Sequence, residues 1–243
     1  MSSRPAWRRS GGSLAALLIA ALLVGCSSHR SGGWTGGRRT SQDFVNMALE
    51  AQCADDRREG VSSLARTRDA STDWAVKVFE TVARTDTDAL VRCAAVRALE
   101  RAAGPDRVPL LLSILDGSAG TGDKTRMGPV RWEAAKLLLV ILRDGLYDET
   151  QRPAIIRVLL DRAARDPDRN VRLAALDSLG HLPDRQVFFT LVDLLETEDF
   201  AIKRAAEESL IALTGTTHDH DPAAWRRWAG EHPTAFSTTA GQP

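Results

Sequence analysis

The chain has 243 residues, enough for one domain with a sizeable core, and is 43% hydrophobic but only 5% aromatic. That balance suits alanine- and leucine-rich helix packing rather than a β-sandwich, and no stretch alternates as a strand would. Formal charge sums to zero, but residues 1–40 hold six arginines and no acid, leaving a net charge of about −6 from residue 41 onward. A nucleic-acid surface needs the reverse, with basic residues massed on one face, so neither DNA nor RNA is expected as a partner.

Arg4, Arg8 and Arg9 precede an uncharged apolar run over residues 14–24. A bilayer span needs about 20 residues, so the run is too short to cross, and residues 1–25 read as a signal peptide. The run ends Leu22-Leu23-Val24-Gly25-Cys26, which resembles the bacterial lipobox. The resemblance implies lipidation of the Cys26 thiol and cleavage just before it. Ser27, in place of the Asp associated with inner-membrane retention, favours the outer membrane. Two or three acyl chains give lasting attachment where one is marginal. Residues 26–40 are mostly Ser, Gly and Arg, with a single Trp34. They cannot bury enough to order themselves and form a flexible tether with a reach of roughly 20 Å. The expected location is the cell envelope, with the rest of the chain facing the periplasm or exterior.

After Ser41 the chain begins to repeat itself. Phe44, Met47, Ala48 and Ala51 mark a first amphipathic helix, and helices follow near 57–66 and 73–84. Trp74, Val78, Phe79 and Val82 form the apolar face of the last of these. Asp88 then stands as an N-cap before Val91, Ala95, Ala98 and Leu99, which lie at i, i+4, i+7 and i+8 on one helix face. The same phrase returns as Val130-Arg131 with Ala134, Leu137 and Leu138. It returns again as Val171-Arg172 with Ala175, Ser178 and Leu179, and as Ile202-Lys203 with Ala206, Ser209 and Leu210. A weaker copy starts at Arg57. Starts at 57, 91, 130, 171 and 202 lie 34, 39, 41 and 31 residues apart, with partner helices near 106–116, 149–164 and 184–196. Two helices per period of this length mean a helical solenoid. Gly145, Gly180 and Gly215 follow the later helices, as Gly commonly does.

This pattern resembles HEAT repeats, particularly the bacterial group related to those of phycobilisome lyases, over about residues 55–215. The resemblance implies an all-α, right-handed solenoid of about five hairpins. It also implies an inter-repeat ladder, here of Asp88, Asp168 and Asp199 with Arg92, Arg131, Arg172 and Lys203. The repeat at Val130 has Met127-Gly128-Pro129 where Asp is expected, which puts its ladder link in doubt. After Gly215, the Asp221-Pro222-Ala-Ala-Trp225-Arg-Arg-Trp228 stretch looks like the C-terminal cap of many such proteins. Trp225 and Trp228 share a helix face and are expected to cover the last repeat's core. The repeat domain is thus expected over residues 41–231, with 232–243 a disordered tail.

Other motifs fall short of chemistry. The stretch from Gly117 to Thr125 almost spells a P-loop, but Asp123 sits where Gly must precede Lys and puts a carboxylate in the phosphate's place. His218, Asp219, His220 and Asp221 are consecutive in a turn, where neighbours rarely converge on one metal ion. Cys53 and Cys93 are expected as buried free thiols; a bridge would close a loop of about 40 residues and add roughly 4 kcal/mol. The expected function is therefore a membrane-anchored, non-enzymatic scaffold binding another envelope protein or peptide, without cofactor, nucleotide or metal. By the family resemblance its concave side is lined by the second helix of each pair, which presents Arg152, Arg157, Arg185, Gln186 and Thr190. The alternative is an enzyme, or an accessory subunit of one, of the lyase type.

Overall fold

The computed structural model describes residues 39–119 and 127–236. Cys26, the signal peptide, nearly all of the tether, residues 120–126 of the P-loop-like stretch and residues 237–243 lie outside the described residues. From Arg39 onward the chain clusters as one compact unit. Five helical hairpins follow one another: α1 (Ser41–Glu50) with α2 (Ala54–Ala65), α3 (Asp73–Thr85) with α4 (Ala89–Ala98), and α5 (Val108–Leu115) with α6 (Gly128–Arg143). The last two are α7 (Arg152–Arg165) with α8 (Arg169–Leu179), and α9 (Arg185–Leu194) with α10 (Phe200–Thr214); α11 (Pro222–Glu231) closes the stack. There is no strand among the described residues, and no helix there is long and apolar enough to cross a membrane.

The repeated apolar positions make the core. Val91, Ala95, Leu99, Val130, Ala134, Leu138, Val171, Ala175, Leu179, Ile202, Ala206 and Leu210 are all fully buried. The alanines halfway along these helices leave no bulk between backbones, so α4, α6, α8 and α10 pack directly on one another. Successive odd-numbered helices touch one another far more lightly. A stack drawn together on one side curves toward that side, so the even-numbered helices form the inner face. The expectation that residues of α7 and α9 line the concave side is therefore reversed.

Local chemistry sets the helix starts. Asp88 accepts from the amides of Leu90 and Val91 at 2.8 and 3.1 Å, Asp168 from Asn170 at 2.9 Å, and Asp199 from Ala201 and Ile202 at 3.0 and 3.3 Å. Helix α6 has no such cap; Pro129 in its first turn supplies a preset φ instead. Gly215 ends α10 in the left-handed region at φ +74°. Gly180 differs: its φ is −61°, and the residue is small because a Cβ there would lie 3.2 Å from the Cα of Ser209. Trp74 also departs from expectation. It is 45% exposed, while Ala75, Val76, Phe79 and Val82 carry the buried face of α3.

Candidate functional site

The repeated charges do join neighbouring repeats, but through different acids. Arg57 donates to both carboxylate oxygens of Asp86 at 2.7 and 3.0 Å, and Arg131 to both of Asp166 at 2.8 and 2.9 Å. Asp86 and Asp166 stand two residues before the caps Asp88 and Asp168, whose backbone amides they also hold at 2.8 and 2.9 Å. The assignment of Asp88 and Asp168 as ladder acids is corrected accordingly: their carboxylates accept from the first turn of their own helices. Asp199, the cap of α10, is reached instead by Arg169, at 2.9 and 2.6 Å on an exposed edge. The bonds from Arg169 hold the Asp199 carboxyl down to about 2.

Arg92 and Arg172 turn back into their own hairpins. Their Nε atoms donate to the carbonyls of Ala83 and Ala163, at 2.7 and 3.0 Å, near the C-termini of α3 and α7. A cation there complements the helix dipole. Among the described residues the next repeat offers Arg92 the Ala119 carbonyl at 3.3 Å and the Met127 sulfur at 3.6 Å. After Arg172 the ladder position is Thr197, so no acid is available. Lys203 makes no hydrogen bond or ion pair among the described residues, since no further repeat follows its helix. The repeat at Val130, whose link was in doubt, has the most buried pair among the described residues. That link needs Arg131 and the next repeat's Asp166, and nothing from its own N-cap. Gly128 in turn leaves room for the Asp168 carboxylate, which a Cβ would meet at 2.5 Å.

At the C-terminal end Trp225 is fully buried and its Nε1 donates to Glu207 at 2.7 Å. Burial alone would raise the Glu207 carboxyl. Bonds from Trp225, the Thr217 hydroxyl and the His218 amide, with the charge of His220, outweigh it and hold the group below its ordinary value. Phe188 gathers Trp225, Trp228 and Phe236 at centroid distances of 6.0, 5.6 and 5.2 Å. The tail expected to be disordered from His232 is thus engaged as far as Phe236, because an aromatic edge remained to be covered. His218 stands edge-on to Trp225, and Asp221 caps α11. Among the described residues no group of three or more His, Cys, Asp or Glu is placed to hold a metal ion. Cys53 and Cys93 are free thiols; burial pushes Cys93 up to about 11.

Two of the grooves among the described residues offer places where another molecule can be held. The outer one, about 830 Å³, runs along α7 between α5 and α9 and includes Arg152, Arg157, Gln186 and Thr190. Arg185 stands apart from its lining, over the ring of Phe189. The inner groove, about 500 Å³, crosses α6, α8 and α10. Its apolar surface is Trp132, Leu139, Leu173 and several alanines, rimmed by Lys136, Asn170, Asp177 and His181. Nothing in the sequence ranked this inner groove, because its residues come from three helices far apart in the chain.

A family profile for HEAT repeats matches residues 156–229, from within α7 into α11. Comparison with curated proteins finds no match. Among solved structures, the complex of CpcE and CpcF of phycocyanin lyase from Nostoc sp. PCC7120 is similar, with a TM-score of 0.54. Identity is 19%, over 84% of this chain and 74% of that one, so the likeness concerns the fold. It nevertheless overturns the expectation that this chain is not an enzyme. A fold of this kind belongs to a lyase complex, so the lack of a recognisable nucleophile or metal motif in the sequence does not argue against an enzymatic role. The chain is an all-α solenoid of five HEAT-like hairpins and a capping helix, similar in fold to a phycocyanin lyase complex.

Proposed function

We propose that the chain is a lipid-anchored, lyase-type HEAT-repeat protein of the cell envelope, an enzyme or the accessory subunit of one, whose solenoid grips a partner protein. The observation that carries this reading is the likeness to a lyase complex over 84% of this chain. Two grooves on a rigid, ladder-linked stack support the gripping role, since a catalyst gains most by holding reactants in one geometry. The anchor rests on residues 22–26, which spell the lipobox-like Leu-Leu-Val-Gly-Cys.

Two experiments separate the parts. A fatty-acid probe should label the wild type and not Cys26→Ala; an unlabelled but membrane-bound wild type would refute the anchor. Photo-crosslinking residues in place of Arg157 in the outer groove and His181 in the inner one, used in native membranes, should between them capture the partner for mass spectrometry. The partner's intact mass is then compared between cells with and without this chain. A difference is expected, and identical masses would refute the lyase-type role.

A further inference from the structure

The layer of even-numbered helices carries a charge pattern that neither the ladder nor the cap uses, and three of its four members line the inner groove. Six residues after the core Val or Ile of α4, α6, α8 and α10 stand Arg97, Lys136, Asp177 and Glu208. All four reach solvent, and the sign changes between α6 and α8. On the basic side Arg97 and Lys136 share one buried acid, Glu133, at 3.6 and 2.8 Å, so one positive charge is left over. On the acidic side Glu208 pairs with Arg204 at 2.7 Å, while Asp177 has no hydrogen-bond or ion-pair partner among the described residues. One negative charge is left over there. Trp132 lies between, 38% exposed, with the Lys136 ammonium 4.0 Å from its ring. Ala94, Ala174 and Ala205, each three residues after its core Val or Ile, leave room for a backbone to approach.

We propose that this groove docks an amphipathic helix of the partner protein. Its acidic first half lies over Arg97 and Lys136, and its basic second half over Asp177 and Glu208. The proposal rests on the reading above that a partner protein is gripped. Acids early and bases late are the order a helix dipole itself favours, which sets the direction. Four helices at 8–10 Å spacing span about 25–30 Å, which matches a helix of roughly 17–20 residues. A half-exposed Trp at the middle of such a span is the usual kind of anchor. No free strand edge is available among these helices for an extended peptide to join.

The test uses the full chain and two synthetic peptides of about 20 residues. Both carry leucines along one helical face; one has Glu in its first half and Lys in its second, and the other has the two halves exchanged. By calorimetry at low salt the Glu-first peptide should bind at least about tenfold more tightly than its twin. Lys136→Glu, which removes the sign change along the groove, should weaken the Glu-first peptide, and Trp132→Ala should weaken both. Equal affinities, or no binding of either peptide, would overturn the proposal. So would binding to phosphatidylglycerol vesicles that Lys136→Glu abolishes, which would make the groove a lipid site. A partner captured at position 157 or 181 without any peptide preference refutes this groove alone; capture at neither refutes the broader reading as well.

Discussion

Arg131→Met keeps the aliphatic stem of Arg131 and removes its guanidinium, and with it the pair to Asp166 that joins the third and fourth hairpins. Both side chains of the Arg131–Asp166 pair are buried, at 6% and 0% exposure. Removing one partner of such a pair costs about 3–5 kcal/mol, because the other charge is left buried. Asp166 keeps a bond from Arg162 at 3.3 Å and one from the Asp168 amide at 2.9 Å, which places the expected loss near the lower end, about 3 kcal/mol. For a domain of this size that is a drop of about 6–12 °C in Tm. Arg172→Ala, which gives up one bond to a carbonyl at a half-buried site, should cost only about 1 kcal/mol. Arg185→Ala, on the surface, should cost about 0.5 kcal/mol or less. Urea denaturation followed by circular dichroism measures all three. If Arg131→Met lies within about 1 kcal/mol of wild type, or falls level with Arg172→Ala, the pair does not join the repeats in the way argued.

At the cap, Trp225→Ala should cost about 3–5 kcal/mol by opening a cavity, and Trp225→Phe about 1–3 kcal/mol by leaving Glu207 short of a donor. Trp228→Ala, at a half-buried site, should cost less than Trp225→Ala in the same melts. Glu207 is held below its ordinary value, so its contribution is present at neutral pH and lost as pH falls through its folded value. Glu207→Gln should accordingly flatten the acid limb of the stability profile below about pH 4.5. The Asp199 carboxyl, at about 2, should return toward its ordinary value in Arg169→Ala when followed by carboxyl NMR titration. The Cys93 thiol, at about 11, should resist iodoacetamide at pH 8 until the chain is unfolded, while the less buried Cys53 reacts first.

Much of this architecture was legible before any coordinates, because its causes are local. A cap aspartate meets amides two and three residues ahead, so Asp88, Asp168, Asp199 and Asp221 could be read from spacing alone. The buried face of each inner helix follows from 3.6-residue periodicity. The covering role of Trp225 and Trp228 follows from their shared face and from the need of any last repeat to be closed. The ladder was harder. Arg57 and Asp86 are 29 residues apart and Arg131 and Asp166 are 35, and several nearby aspartates were equally good on paper. Which one faces backward depends on how the loop before each inner helix turns, and that is set by the neighbouring hairpin.

The repeat period, the helix starts, the core positions and the closing helix are all written in the chain, each a matter of contacts within a few residues. The tertiary structure alone decided which acids join the repeats, which layer of helices curves inward, and where a groove opens. It also decided that Arg97, Lys136, Asp177 and Glu208 lie on one face. Each of these depends on the distance and rotation between successive hairpins. Those quantities are set by the summed fit of small residues such as Gly128, Gly180 and Ala134 against the next repeat, which no single stretch of sequence contains.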